Sequence, residues 1–277
     1  MYGFLRRPKW IIFTFGVILL IVLMVNLGFW QLRRLDTRKA HNAQISARTA
    51  SAEVPLADLV KPDTPMDATA DVQWREVSAT GRYDESQQVL VRNRTYNGIP
   101  GYFVLTPLEV PGGDVVIVNR GFVPLETSGT KPKVPAAPSG VVAVNGRVRS
   151  TQKRGLFGPR DPVEGTLTEV ARADLARLQQ QMPDHLLPVY IELETSDPSE
   201  ARGITPVPLP ELDDGPHLSY AIQWFLFSAL AVVGWVLVVR KTAKGGDNII
   251  DDEMTDDTAT EGDDRASTVV GADDTAP

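Results

Sequence analysis

The residues of this chain that could do chemistry lie at one end of each of two apolar segments. His217 immediately precedes the second apolar segment and is one of only three histidines, while Arg33 and Arg34 follow the first. An imidazole can be an axial ligand of haem iron, and guanidinium groups pair with carboxylates such as haem propionates. Trp30 and Trp224 could pack on the macrocycle. If the two segments are antiparallel membrane helices, these residues lie at one membrane depth and could form a haem site.

The same residues have a simpler interpretation as membrane anchors. Trp and Tyr favour the membrane interface, arginines bind lipid phosphates, and His217 would then cap the second helix or contact water. Both interpretations stay open at the level of the residues alone.

Composition excludes several other kinds of site. The chain has no cysteine, which excludes disulfides, thiolate metal sites, cysteine nucleophiles and iron–sulfur clusters. His41, His185 and His217 match no zinc-binding spacing, and neither a Gly-rich phosphate loop nor a G-x-S-x-G motif is present. We therefore predict that the protein is not an enzyme.

Two apolar stretches are long enough to cross a membrane. Residues 10–30 carry no charge and would span about 30 Å as a helix. A cleaved signal peptide would also have basic residues before it, but its apolar region is usually only about 7 to 15 residues long. Residues 220–239 form the second stretch, with Tyr220 and Trp235 suited to the interfaces. The sequence predicts a cell-membrane protein with two transmembrane helices.

The charges beside the second stretch predict the orientation of the chain. Three basic residues follow it at 240, 241 and 244, whereas acidic residues precede it at 211, 213 and 214. By the positive-inside rule, residues 1–9 and 240–277 are cytoplasmic and residues 31–219 are extracytoplasmic. The basic residues at 33, 34, 38 and 39 run against this rule, but long domains cross membranes largely regardless of charge. The tail within 240–277 is acidic and lacks aromatic residues, which predicts disorder.

The segment between the two stretches is predicted to be mostly β-structure. Six runs rich in Val, Ile, Tyr and Thr are separated by turn residues, at 72–83, 88–95, 102–108, 115–120, 141–149 and 189–194. They indicate a small barrel or a sandwich. One amphipathic helix is predicted at 167–182, with Thr166 and Glu169 as a capping box. The predicted fold class is a membrane α+β protein, with two transmembrane helices flanking this domain.

Several short strings give the chain a family resemblance. In order, they are LGFWQLRRLDTRK, GRYD, GYFVLTPL, VVIVNRGFVP, PVYIELE and HLSYAIQWFLF. With these strings, residues 27–239 resemble the Surfeit locus protein family, the membrane assembly factors of cytochrome c oxidase. Thr37 and Pro216 depart from the family pattern. The positions that match it include Gly28, Trp30, Gln31, Arg34, Asn119, Arg120, Gly121, His217, Tyr220 and Trp224.

The resemblance implies a function in oxidase assembly. It implies a factor that assists insertion of haem a into the catalytic subunit of an aa3-type oxidase, binding haem a transiently through His217. The implied partners are that catalytic subunit, a haem a synthase and membrane lipid, with no nucleic acid. The alternative is a haem-free membrane scaffold that stabilises oxidase subunits. For the Asn119–Gly121 motif, a functional role and a structural one stay open, the latter being a strand end with Arg120 in a surface salt bridge.

Overall fold

The computed structural model describes residues 2–126 and 132–245. They form two compact units, the described residues of Met1–Arg38 with Asp214–Pro277, and Lys39–Asp213. We call them the helical unit and the β unit. The predicted disordered tail lies outside the described residues from 246 onwards. The α-helices are α1 (Pro8–Thr49), α2 (Leu56–Leu59), α3 (Leu175–Gln179) and α4 (His217–Gly245).

Helices α1 and α4 contain the two predicted membrane stretches. Both are long and apolar enough to cross a membrane, judged by length and composition. Helix α1 does not end near Trp30 but continues for 42 residues in all, to Thr49. Residues 31–49 contain neither Pro nor Gly, so nothing in them breaks the helix. The domain that the sequence predicts from residue 31 therefore begins as helix, and the strands come later.

The β unit is built on one mixed sheet of eight strands. Its order is β1-β2-β6-β8-β5-β4-β3-β7, and β2 also pairs with β4. That extra pairing closes β2, β6, β8, β5 and β4 into a five-stranded barrel, so the barrel rather than the sandwich is observed. The strands are β1 (Val54–Pro55), β2 (Glu76–Tyr83), β3 (Val89–Tyr96), β4 (Ile99–Glu109), β5 (Val115–Pro124), β6 (Val142–Ser150), β7 (Glu169–Val170) and β8 (Leu186–Asp197).

All six predicted strands are present, with shifted bounds. The first begins at Glu76 because the residues before it, from 71 to 74, form a turn. The last is longer than predicted and extends over twelve residues. The two-residue strands β1 and β7 are not among the predicted runs.

The predicted amphipathic helix is mostly wrong. Only Leu175–Gln179 is α-helical, and its N-cap is Asp174, whose side chain accepts a hydrogen bond from the backbone N–H of Arg177. Glu169, expected in a capping box, instead lies in strand β7. Its neighbour Leu167 is fixed outside any helix, because its backbone N–H and C=O both bond the side chain of Gln181. The apolar residues of this segment are buried in a core, but most of them are not in a helix.

Strand β5 is central to this core because both of its faces are buried. Val116 and Val118 pack in one apolar cluster with β2, β6 and β8, while Val115 and Ile117 pack in a second cluster with α3 and β7. A strand that is covered on both faces has a continuous run of apolar residues in its sequence, as this strand does. The Asn119–Gly121 motif, which lies within this strand, is therefore positioned by a buried element.

Candidate functional site

Helices α1 and α4 of the helical unit are antiparallel. The indole Nε1 of Trp235, near the end of α4, donates to Thr14 Oγ1, near the start of α1, at 3.3 Å. Further along the pair, the side chain of His217, at the start of α4, meets that of Gln31, in the middle of α1. The face-to-face arrangement predicted for the two segments is thus present.

The partner of His217 is Gln31. The imidazole Nδ1 lies 2.9 Å from Gln31 Oε1, and the ring is half-buried at the first residue of α4. An amide oxygen only accepts hydrogen bonds, so Nδ1–H donates in this contact, and in the neutral ring the other nitrogen, Nε2, carries the lone pair. Metal-binding histidines are commonly oriented in this way by a bond to the other ring nitrogen. The pair is therefore suited to present Nε2 as a ligand.

Two glycines leave space around this pair. Gly215 has φ +67°, and a Cβ added to it would lie 3.5 Å from Nε2 of His217. One turn before Gln31 on α1, Gly28 faces the ring of Phe225, where an added Cβ would lie 2.7 Å from two ring carbons. Gly28 thus permits the close approach of the helices, and Gly215 keeps the surroundings of Nε2 free of a side chain.

The two predicted arginines differ in position. Arg34 is three residues after Gln31 and lies one turn further along nearly the same face of α1. Arg33 is two residues after Gln31 and points about 200° around the helix, away from that face. Both side chains are exposed, and neither forms an ion pair with another described residue. Arg34 is therefore the better placed of the two to act with His217.

The aromatic residues near the site also differ in position. Trp224 follows His217 by seven residues, which returns it to the same face of α4, and it packs edge-on against Phe227 at 6.2 Å. Trp30 is about half exposed and lies about 100° around α1 from Gln31. Tyr220 is also about half exposed, one turn after His217. Trp224 and Tyr220 therefore lie on nearly the same face of α4 as the histidine, whereas Trp30 does not share the face of Gln31.

In the β unit, Arg120 is fully buried, which corrects the expected surface salt bridge. Its Nη2 lies 2.6 Å from Glu200 Oε2, and its Nε donates to both carboxylate oxygens of Glu200. The remaining donors reach Gln88 Oε1 and the carbonyl oxygens of Pro135 and Ala136. Every contact of this guanidinium lies within the β unit, so the arrangement is that of a structural ion pair.

Asn119 and Gly121 complete the structural role of this motif. The register of β5 against β4 shifts here, with Val104 opposite Gly121 and Leu105 opposite Asn119, so that Arg120 occupies a β-bulge. Gly121 has φ +137°, and an added Cβ would overlap the carbonyl oxygen of Thr205. The bulge turns the Arg120 side chain inwards, and only glycine fits the next position.

A second ion pair, partly buried, crosses from β6 to β8. Arg149 Nη1 lies 3.0 Å from Glu192 Oε2, and the guanidinium stacks on the ring of Trp74 at 3.7 Å. Burial raises the pKa of Glu192, and the opposing effect of Arg149 and Arg147 is smaller. Over residues 2–126 and 132–245, no three His, Asp or Glu side chains form a metal-binding group. Within that part of the chain, His217 and His185 each have Nδ1 within hydrogen-bond distance of a side-chain oxygen, that of Gln31 and that of Asp114 respectively.

Comparison with known proteins shows the family of the chain. The model of the SURF1 family matches residues 18–229, which include Gln31, His217 and the whole β barrel. The chain belongs to the SURF1 family.

Relatives in this family come from bacteria and eukaryotes. An uncharacterized SURF1-like protein of Mycobacterium tuberculosis is 32% identical over 235 residues, which cover 84% of each chain. Surfeit locus protein 1 of Homo sapiens is 27% identical over 240 residues, covering 79% of this chain and 75% of the human protein. A SURF1-like protein of Monosiga brevicollis is 27% identical over 232 residues, covering 79% of this chain and 85% of its own.

Sequence reasoning did not find three residues that complete these sites. Gln31 was named only as a position that matches the family pattern. It is a polar residue directly after an apolar stretch, and this could have suggested a contact with His217. Glu200 and Gln88 carried no signal, because they lie 80 and 32 residues from Arg120 and meet it only in the folded β unit.

Proposed function

We propose that this SURF1-family protein is a membrane assembly factor for an aa3-type cytochrome c oxidase, and that it assists insertion of haem a into the catalytic subunit. Family membership supports the link to oxidase assembly. The single observation that supports haem binding is the hydrogen bond from His217 to Gln31, which leaves Nε2 as a lone-pair donor.

The residues around the His217–Gln31 pair fit a haem. His217 would bind the iron through Nε2, with Gln31 holding the ring in the required tautomer and Gly215 leaving room beside it. Arg34, exposed on the neighbouring face of α1, would pair with a propionate, and Trp224 would contact the macrocycle. When bound, the iron supplies an electrophilic centre that accepts the imidazole lone pair. A single protein ligand suits a carrier that must later release its cargo.

The membrane arrangement is part of the same proposal. Helices α1 and α4 would both cross the cell membrane, with residues 1–9 and 240–277 in the cytoplasm and the β unit outside. Haem a has a lipid-soluble tail and charged propionates, so a site at the end of two membrane helices suits both parts of it. The expected partners are the oxidase catalytic subunit and a haem a synthase.

Replacing His217 tests the haem proposal. We expect His217→Ala, purified from cells that make haem a, to lose most of its haem a while the variant still accumulates in the membrane, because the ring is only half-buried. The measurement is haem a per protein by absorption spectroscopy. His185→Ala is the matched control, since this histidine lies exposed in the β unit beside Asp114.

Gln31 distinguishes ligand orientation from simple helix packing. Gln31→Ala should reduce haem content partly, whereas Gln31→Glu, whose carboxylate still accepts from Nδ1–H, should retain it. Haem content unchanged in His217→Ala would overturn the ligand assignment. That result would favour the alternative function, a haem-free scaffold that stabilises oxidase subunits.

A further inference from the structure

The loop between β6 and β7 exposes two large apolar side chains side by side. Leu156 is 91% exposed and Phe157 is 92% exposed, more than any other large apolar residue of the described chain. They occupy the centre of the string KRGLFGPR, residues 153–160. Val163, further along the same loop, is 76% exposed. Neighbouring apolar groups this exposed on a folded unit indicate a surface that contacts something apolar.

The loop is held in this shape by arginine side chains that bind its carbonyl groups. Arg172 Nη2 donates to Pro159 O at 2.6 Å, and Arg154 Nε donates to Gly158 O at 3.2 Å. Arg177 bonds two further carbonyl oxygens, those of Pro162 and Gly165, at 2.8 and 2.7 Å. These bonds fix the loop on the C-terminal side of its tip, and the bond from Arg154 to Gly158 spans the tip itself. The exposure of Leu156 and Phe157 is therefore built into the fold and does not reflect a loop without contacts.

The charges beside the tip are basic. Lys153, Arg154 and Arg160 are all exposed. The acidic residue next to them, Asp161, is neutralised, because its carboxylate accepts from Arg92 Nη2 at 2.7 Å and from the backbone N–H of Ala171 at 2.9 Å. The tip thus presents two apolar side chains flanked by three cationic ones.

We propose that residues 153–160 form a lipid-contact loop, which inserts Leu156 and Phe157 into the interfacial region of a bilayer containing anionic lipid. Lys153, Arg154 and Arg160 would contact the lipid phosphates, as basic residues beside inserted apolar groups do. The β unit is joined at both ends to helices long and apolar enough to cross a membrane, so a lipid surface is within reach of it. Charge complementarity favours anionic lipid over a protein partner as the occupant.

The test uses the absence of cysteine from the chain. Full-length Leu156→Cys and Ser139→Cys, the latter in another exposed loop of the β unit, are labelled with a nitroxide and reconstituted into protein-free vesicles of phosphatidylcholine and phosphatidylglycerol. Accessibility to oxygen and to a water-soluble nickel complex is then measured by electron paramagnetic resonance. We expect the label at 156 to be accessible to oxygen and protected from nickel, with the reverse at 139.

The charge contribution is tested in the same vesicles. The labelled Leu156→Cys protein is also given the substitutions Lys153→Gln and Arg160→Gln. The ratio of docked to free loop should then fall by about fivefold for each removed charge. Replacing the anionic lipid should lower the same ratio. A label at 156 as accessible to nickel as the one at 139 would overturn the proposal. Protection of 156 in native membranes but not in lipid vesicles would also overturn it, and would assign the loop to a protein partner.

Discussion

At the scale of single residues, Arg120 shows how a charged side chain becomes part of a protein interior. Its charge is balanced by Glu200, and its other donors meet Gln88 and two carbonyl oxygens. A buried pair of this kind contributes little net stability, because desolvation of both charges opposes their attraction, yet removing one partner leaves the other uncompensated. Its importance is therefore visible only when the two residues are changed separately and together.

We expect Arg120→Met and Glu200→Met each to lower the free energy of unfolding by about 3 to 5 kcal/mol, because each leaves one charge without its partner. The double variant should lose much less than the sum. Urea unfolding of the purified protein in detergent, followed by circular dichroism, measures all three. If the loss in the double variant equalled the sum of the two single losses, the pair would not act as a unit.

Glu192 gives the β unit a pH dependence of known sign. Burial raises its pKa in the folded protein above the ordinary value of 4.5. Its contribution to stability is thus fully present below about pH 4.5 and is lost as the pH rises through the folded pKa. Glu192→Gln removes this dependence. The stability of the natural protein relative to Glu192→Gln should therefore fall as the pH rises through that window, as measured by urea unfolding at a series of pH values.

The opposite slope, with the natural protein gaining relative stability as the pH rises, would show that the attraction to Arg149 exceeds the effect of burial. Arg149→Met is a useful companion variant, because it removes that attraction and should steepen the loss expected for Glu192.

At the scale of elements, the contact between α1 and α4 depends on Gly28. We expect Gly28→Ala to lower the melting temperature in detergent by several degrees, because its Cβ would lie 2.7 Å from the ring of Phe225. Phe225→Ala should restore part of the loss. Gly16→Ala is the matched control on the same helix, since nothing lies within 4 Å of a Cβ there. Equal melting temperatures for the variants at 28 and 16 would argue against close packing at Gly28.

The elements differ in how far the sequence predicts them. The six long strands were predictable because their β-branched runs are bounded by turn residues, and five of those strands close the barrel. The helix proposed at 167–182 failed because apolar residues at helical spacing also arise when a loop packs on a core, as Leu167 and Val170 do. The continuation of α1 to Thr49 was missed because a hydropathy pattern marks the apolar part of a helix and says nothing about its polar extension.

The candidate site was predictable in part. The histidine at the start of α4 and the basic residues that follow the apolar part of α1 were visible in the sequence. The pairing of His217 with Gln31 was not, because these residues are 186 positions apart and their contact depends on the register between two helices. The burial of Arg120 was not predictable either, since arginine is mostly exposed unless it is paired, and its partner Glu200 is distant in the sequence.

At the scale of the whole molecule, the arrangement in the membrane can be tested with single cysteines. We expect Ser139→Cys in the β unit to react with an impermeant maleimide on intact cells, because the charges beside α4 favour an outside β unit. Ser267→Cys, in the C-terminal segment beyond the described residues, should react only after the cells are opened. The absence of native cysteine removes background labelling. The reverse pattern would invert the proposed orientation.

The order of strands in the sheet has a consequence for how the protein behaves at high concentration. Its outermost strands, β1 and β7, each have two residues, so neither offers a long edge to another chain. Strand β3 is longer than the β7 segment beside it, which pairs only with Leu90 and Val91. The next part of β3 carries Arg92 and Arg94 and is bent by a bulge with Asn93 at φ +60°. Charge and curvature at this edge disfavour pairing between copies, which protects a sheet-rich protein from aggregation.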